Sequence, residues 1–111
     1  MILSVQQIKY EILAYIREFG DDYRDWVIGI ADQPRARMAE WHGVDLEADI
    51  WLYKQAVNNR ACVTVVRFFT EKLGVEGEAV ASTDEEFDCV YLFRKSARTR
   101  PAAPAPAETA G

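Results

Sequence analysis

The stretch WVIGIADQPRARMAEWHGV, residues 26–44, decides the fold of this chain and raises the question of its function. Its first six residues, 26–31, are mostly apolar and partly β-branched, which predicts a buried strand with Gly29 inside it. Pro34 suits the first turn of a helix, so we expect a helix over 34–43. This helix would carry two arginines and the chain's single histidine directly behind the strand.

An amphipathic helix is predicted ahead of this stretch. Ser4 and Gln7 form a capping-box pattern, and apolar residues follow at spacings of three and four, which predicts one buried stripe. The stripe consists of Val5, Ile8, Ile12, Ile16 and Phe19. Gly20 is placed to end this helix.

Three further elements are predicted after the stretch. Residues 49–56 favour a strand. Residues 58–74 are ambiguous, because the β-branched run 63–66 favours a strand whereas four apolar residues keep a helical spacing behind an asparagine cap at 58 or 59. The four are Cys62, Val66, Phe69 and Leu73. We interpret 58–74 as a helix and 87–95 as a final strand.

The element order α-β-α-β-α-β predicts a small α+β domain over residues 1–95, with a three-stranded antiparallel sheet flanked by helices. We expect strand 26–31 in the centre of the sheet, paired with both 49–56 and 88–95. Residues 96–111 are rich in Ala and Pro and lack large apolar side chains. We therefore expect them to form a disordered tail, which from about Ala97 onward is dispensable for stability.

The composition narrows the classes of function. A net charge of −5 argues against a broad basic surface for nucleic acid but leaves room for a local basic site. Cys62 and Cys89 are expected to be free thiols in the core of a reduced, cytoplasmic protein, and one histidine with two distant cysteines cannot form a zinc site. The N-terminus lacks a signal-peptide pattern, and no apolar run approaches the ~20 residues of a membrane span.

Residues 27–42, VIGIADQPRARMAEWH, resemble the second half of the GIY-YIG nuclease motif. In that family a strand ends in Tyr-Ile-Gly, and a turn and a helix follow. The helix has an arginine about eight residues past the glycine and a histidine a little later. Here Ile28 and Gly29 match the Ile-Gly pair, Arg37 lies eight residues past the glycine, and His42 follows.

The first half of the motif is found at the other end of the chain. Residues 89–95, CVYLFRK, are similar to the opening strand of the nuclease domain in bacterial excision-repair endonucleases, with Cys89 in place of glycine. The resemblance, which covers residues 26–95, thus implies a circular permutation. The last strand of this chain would occupy the sheet position of the family's first strand, because strands pair by space and register, not by chain order.

The resemblance implies phosphodiester cleavage assisted by one divalent metal. It assigns Arg37 to the phosphate, since arginine offers a planar donor fork for phosphate oxygens. Arg35, which is close to it in the sequence, is a further candidate for substrate binding. It assigns Tyr91 to deprotonation of the attacking water, and His42 to the family histidine. Each residue also has a structural interpretation: Arg37 as a solvated arginine paired with Glu40, Tyr91 as a core aromatic, and His42 as a structural residue.

Two positions depart from the family pattern. Val27 replaces the second tyrosine, and Val66 stands where the later helix has its metal-binding glutamate. An aliphatic side chain cannot bind a hard cation, which requires oxygen ligands. We therefore expect no resident metal and a degenerate domain without nuclease activity, which keeps a phosphate- or partner-binding patch at Arg35, Arg37 and His42.

Two alternatives remain open from the sequence. In the first, the protein is an active Mg²⁺-dependent endonuclease in which Glu76 or Glu78 replaces the missing ligand. In the second, the resemblance is only architectural, and the chain binds a protein partner or another copy of itself through its aromatic residues. Nucleic-acid binding, where present, is expected to be weak because the chain is acidic.

Overall fold

The computed structural model describes residues 1–77 and 85–100, which form an α+β fold with three helices and a five-stranded mixed sheet. The strands are β1 (Ile2–Leu3), β2 (Trp26–Ala31), β3 (Trp51–Ala56), β4 (Glu76–Gly77) and β5 (Cys89–Arg94). The helices are α1 (Val5–Glu18), α2 (Pro34–Ala36) and α3 (Asn59–Arg67). The last two continue as π-helical turns over Arg37–Trp41 and Phe68–Lys72.

The predicted helices are confirmed, and their caps show why they begin where they do. The Ser4 hydroxyl oxygen accepts the Gln7 backbone N–H at 3.2 Å, so one unpaired donor of the first turn of α1 is satisfied. Asn58 caps α3 in the same way, accepting the Ala61 N–H at 2.8 Å. The helical interpretation of residues 58–74 is thus correct, because the apolar stripe of this segment packs into the core.

The predicted antiparallel strands are present, but the predicted strand order is wrong. The sheet order is β1-β3-β5-β2-β4, so β5 lies in the centre and pairs antiparallel with both β2 and β3. Strands β2 and β3 do not pair with each other. Burial does not distinguish the two candidates for the central position, because all six residues of β2 are buried, as are five of β5. The difference is that the other edge of β2 is occupied by β4, so β3 pairs with β5 instead.

Two short parallel strands at the edges of the sheet were not predicted. Strand β1 pairs with the end of β3, and β4, expected to be loop, pairs with β2. Each has only two residues, too few for the alternation that reveals a strand in a sequence. Gly77 lies so close to β2 that an added Cβ would be 2.1 Å from the Ile28 carbonyl oxygen, which restricts this position to glycine.

The sheet separates two apolar cores. Along β5, Val90 and Leu92 face the larger core, which also contains the buried residues of α1 and α3. Tyr91 and Phe93 face a smaller core that contains Met38, from the π-helical turn after α2. Successive strand residues point to opposite faces of the sheet, so the residues of β5 alternate between the two cores.

The described fold extends past residue 95, where the tail was predicted to begin. Ser96–Arg100, which we call the strap, contacts the end of the α2 region: the Arg100 N–H donates to the His42 carbonyl at 2.8 Å, and Arg98 pairs with Asp49. The rest of the predicted tail, residues 101–111, lies outside the described residues. Among the residues described, no helix is long and apolar enough to cross a membrane.

Candidate functional site

Gly29 and Tyr91 are cross-strand partners in β2 and β5, and their side of the sheet faces the smaller core. A Cβ built on Gly29 would lie 2.3 Å from the Tyr91 hydroxyl oxygen and 2.4 Å from its Cζ. The Tyr91 ring therefore lies directly over the Gly29 backbone. The glycine of the opening stretch is present because no larger residue leaves room for this ring.

The Tyr91 hydroxyl, which lies over Gly29, also forms a hydrogen bond with the His42 ring. The Nε2 of this ring lies 2.8 Å from the Tyr91 oxygen, and its Nδ1 lies 2.9 Å from the carbonyl oxygen of Arg100. A carbonyl only accepts hydrogen bonds, so Nδ1 carries the proton and donates it. In the neutral ring, Nε2 is then an acceptor, and the Tyr91 O–H donates to it. The tautomer of His42 is thus set by the strap.

The structure brings together two of the predicted site residues, His42 and Tyr91, from positions far apart in the chain. Both are nearly inaccessible, with 4% and 5% of their surface exposed. The His42 ring also packs against Phe93, with ring centroids 5.0 Å apart. Burial and these mutual hydrogen bonds favour the structural interpretation of the pair in this conformation, since both side chains are almost completely buried.

The two predicted phosphate-binding arginines lie against aromatic rings. The Arg37 guanidinium is 3.9 Å from the centroid of the Trp41 ring, and that of Arg35 is 5.6 Å from the Trp51 ring. We call these four residues the arginine patch. Within the described residues neither arginine forms an ion pair, so the expected pairing of Arg37 with Glu40 is not found.

Aromatic surface continues from the arginine patch along β3. The rings of Trp51 and Tyr53 are stacked, with an interplanar angle of 2° and centroids 6.4 Å apart. The Trp51 indole N–H donates to the Leu46 carbonyl at 2.8 Å, which fixes the ring. Tyr53 is 40% exposed and Trp41 is 44% exposed. Planar rings and guanidinium groups are therefore available to a ligand on one side of the molecule.

The two positions that depart from the family pattern lie on different faces of the sheet. Val27 belongs to the smaller core, together with Tyr91. Val66 is completely buried in the larger core, among the residues of α3. A carboxylate introduced at position 66 would therefore enter the larger core and would not face the Tyr91 hydroxyl.

The acidic residues considered as replacement ligands are not gathered around Tyr91. Glu76 is the register partner of Val27 in β4, and its carboxylate forms an ion pair with Lys95 at 2.7 Å. Glu78 lies outside the described residues. Within the described part of the chain, no group of three or more His, Cys, Asp or Glu side chains is placed to hold a metal ion.

The two cysteines are buried free thiols, as predicted. Burial raises the pKa of the Cys62 thiol to about 12 and that of Cys89 to about 11, with the neighbouring Asp88 also raising both. At neutral pH both groups are therefore protonated. The thiolate is the form that attacks electrophiles and binds metals, so neither cysteine is prepared for such chemistry.

Comparison with known proteins gives no match to a family model, to a curated protein or to a solved structure.

Proposed function

We propose that this chain is a degenerate, circularly permuted GIY-YIG-like domain that binds a phosphate-bearing partner through the arginine patch and does not hydrolyse it. One observation carries the proposal: Arg35 and Arg37 are placed on aromatic rings, and neither is neutralised by a carboxylate among the described residues. A guanidinium without an ion-pair partner keeps its charge and its donor fork for an incoming oxyanion.

The position of β5 supports the permuted arrangement. The half-motif on β5 pairs directly with the half-motif on β2, so Tyr91 lies opposite Gly29. Gly29 and Tyr91 are 62 residues apart in the chain (91 − 29 = 62) but adjacent in the sheet, which is what the permutation requires. Had β5 been outside the sheet, or beside β3 alone, the resemblance would have lost its structural basis.

The loss of cleavage is supported by what surrounds Tyr91. Its hydroxyl hydrogen is directed at His42, and the valine at position 66 is buried on the other face of the sheet. The alternative of an active endonuclease requires a metal-binding carboxylate beside Tyr91. Glu76, on the same face, is engaged by Lys95 instead. These contacts favour binding over catalysis.

A single nucleic-acid strand is the ligand that this surface fits best. Its phosphates suit the two guanidinium groups, and its bases can stack on the exposed rings of Trp41 and Tyr53, an interaction typically worth ~1–3 kcal/mol per base. The net charge of −5 opposes this binding. We therefore expect affinities in the range of nonspecific binding, roughly 10⁻⁴–10⁻⁶ M at physiological salt.

The test is fluorescence anisotropy with a labelled single strand of about 12 nucleotides, which covers a typical binding site. The double variant Arg35→Ala/Arg37→Ala should bind more weakly, and the salt dependence of log K should become shallower by about 1.4, or ~0.7 for each phosphate contact. Arg17→Ala/Arg60→Ala is the matched control, because it removes the same charge from exposed positions elsewhere. Equal binding by both double variants would refute the proposal.

A second candidate, a protein-interaction module, is favoured by exposed apolar side chains near the β1 edge of the sheet. Met1 is 99% exposed, Ile2 57% and Val57 63%. Ile2 is the register partner of Gln55 in β3, which places it close to Val57. Multi-angle light scattering over about a 100-fold concentration range tests self-association, for which an Ile2→Ser/Val57→Ser variant should stay monomeric.

A further inference from the structure

The strap, Ser96–Arg100, makes its backbone contacts with the end of the α2 region. The Arg100 N–H donates to the His42 carbonyl at 2.8 Å, and the Arg100 carbonyl accepts from His42 Nδ1 at 2.9 Å. A turn within the strap fixes its shape, since the Ser96 N–H donates to the Thr99 hydroxyl at 2.8 Å. The strap therefore covers the Nδ1 edge of His42.

Two side-chain contacts, from Arg98 and Arg100, anchor the strap beyond these backbone bonds. The Arg100 Nη2 donates to the Glu40 carbonyl at 3.2 Å. Arg98 Nη2 lies 2.5 Å from Asp49 Oδ1, and the Asp49 side chain is only 5% exposed. The strap also lies close to Gly43, where an added Cβ would be 2.7 Å from the Arg98 carbonyl oxygen. Its attachment thus depends on a few polar contacts at one place.

The strap contributes nothing to the apolar cores. None of its five residues belongs to either core cluster, and it follows the last strand of the sheet. A segment with few buried apolar contacts and exposed hydrogen bonds opens at a lower free-energy cost than the core strands do. Detachment of the strap would leave the strand pairs and both cores in place.

We propose that the strap is a latch that opens as a unit while the sheet stays folded. When closed, it covers His42 and holds the proton on Nδ1, which makes Nε2 the acceptor for Tyr91. When open, it releases the Nδ1 edge of His42 to solvent and frees the ring to change tautomer. The latch therefore controls access to the His42–Tyr91 pair. The inference is independent of the proposed function, because it requires no ligand.

Chemical modification of His42 tests the latch, because the chain has a single histidine. Diethyl pyrocarbonate acylates an accessible imidazole nitrogen, and mass spectrometry of the peptide that contains His42 gives the rate. In the full-length chain, Arg98→Ala should raise this rate by up to about fivefold, as expected from the loss of an ion pair. Arg17→Ala, which removes an exposed ion pair on α1, should leave the rate unchanged.

Hydrogen exchange of two backbone amides separates latch opening from general unfolding. In Arg98→Ala the Arg100 amide should exchange about fivefold faster, while the Leu92 amide in the central strand should exchange as in the unmodified protein. Equal His42 labelling in Arg98→Ala and Arg17→Ala would overturn the proposal. The proposal would also be overturned if Arg98→Ala accelerated His42 labelling and Leu92 amide exchange by the same factor. In that case the strap would open only when the whole domain unfolds.

Discussion

At the level of single residues, the contact between Gly29 and Tyr91 explains a glycine in the middle of a buried strand. Glycine usually weakens a strand, by roughly 0.5–1 kcal/mol relative to alanine. Here the Tyr91 ring occupies the space that a Cβ would need. The ring in turn carries the hydroxyl that binds His42. The conformational cost of the glycine is offset by a packing contact and a buried hydrogen bond.

Gly29→Ala should therefore destabilise the protein, although alanine is the better strand residue. The new methyl group would overlap the Tyr91 ring, and overpacking of this kind costs about 1–3 kcal/mol. The displaced hydroxyl would also lose its bond to His42, which adds about 1 kcal/mol. Urea unfolding followed by tryptophan fluorescence measures the change in the free energy of unfolding.

A double-mutant cycle supplies the control for this prediction. In the Tyr91→Ala background the ring is absent, so Gly29→Ala should cost little or should stabilise the strand. The two substitutions should therefore differ from additivity by more than about 1 kcal/mol, as residues in direct contact commonly do. Additive effects would mean that the close approach of Gly29 and Tyr91 does not govern this position.

The two buried thiols predict a loss of stability at alkaline pH. Burial raises the pKa of Cys62 to about 12 and that of Cys89 to about 11, so the folded protein holds these protons when the unfolded chain has lost them. The stability that the two protonated thiols contribute to the folded state is fully present below the ordinary cysteine pKa of ~8.5. Between about pH 9 and 11 it should fall by roughly 1.4 kcal/mol per pH unit for each thiol.

Urea unfolding under reducing conditions at several pH values between 8 and about 11 measures this slope. The variant Cys62→Ala/Cys89→Ala provides the comparison, because lysines and tyrosines titrate in both proteins and cancel in the difference. The unmodified protein should lose stability more steeply than the variant. Parallel curves would show that these thiols ionise equally well in the folded and unfolded states.

At the level of elements, the segments with a repeated pattern could be predicted and the others could not. The helices α1 and α3 were found from apolar spacing and caps, which are local features. The strands β1 and β4 are too short to show alternation. The place of β5 in the centre of the sheet depends on β4 covering the other edge of β2, a property of the assembled fold that no single segment expresses.

The candidate site was predictable to a similar extent. Tyr91, Arg37 and His42 came from the resemblance, and Tyr91 and His42 do meet, through a hydrogen bond. The acceptor of the His42 Nδ1 proton, the Arg100 carbonyl, was missed because it belongs to a segment without apolar periodicity. A backbone carbonyl carries no signature in a sequence. The Gly29–Tyr91 contact needed the strand register, which only the folded sheet provides.

Truncation should distinguish the contribution of the strap to stability from that of the residues that follow it. A chain that ends at Ala102 keeps every described strap contact and should melt close to the full-length protein. A chain that ends at Ser96 loses the Arg98–Asp49 pair and the bonds to His42, so its free energy of unfolding should fall by about 1–3 kcal/mol.

Thermal unfolding followed by circular dichroism distinguishes these two chains. For a domain of this size, 1 kcal/mol corresponds to a shift of about 4–8 °C in the melting midpoint, which is easily resolved. Equal midpoints would mean that the strap contributes nothing to stability, and the original expectation of a dispensable segment from about Ala97 onward would then be correct.

At the level of the whole molecule, the sheet separates residue positions that the family resemblance would place in one active site. The face with the smaller core carries Tyr91, the His42 ring bonded to it, and Trp51 of the arginine patch. The Arg37 guanidinium also lies 5.8 Å from the ring of Phe87, which packs against the larger core. The opposite face buries Val66 beneath the larger core. The protein has a net charge of −5, but Arg35 and Arg37 form no ion pair within the part of the chain that the structure describes. These two arginines supply positive charge where binding is proposed, while the net negative charge of the protein discourages nonspecific association with nucleic acid.

The same arrangement predicts that the protein does not cleave DNA or RNA in the presence of Mg²⁺ or Mn²⁺. Mg²⁺ binds through anionic oxygens, and position 66 offers an aliphatic side chain in the larger core. Val27, beside Tyr91, provides no second hydroxyl to position the attacking water, and general-base assistance is typically worth ~10²–10⁴-fold. Plasmid and single-strand cleavage assays with the purified protein should therefore show background turnover only.

The Arg37→Ala variant, purified in the same way, identifies contaminating nucleases, because it should behave like the unmodified protein in these assays. Cleavage by the unmodified protein that disappears in Arg37→Ala would instead establish a working active site. In that case Glu76→Gln and Glu78→Gln should be tested next, since each replaces a carboxylate by an uncharged amide of similar size. Loss of cleavage in one of them would identify the residue that replaces the missing metal ligand. If that residue is Glu76, its carboxylate would have to leave Lys95, with which it forms an ion pair, in order to bind the cation.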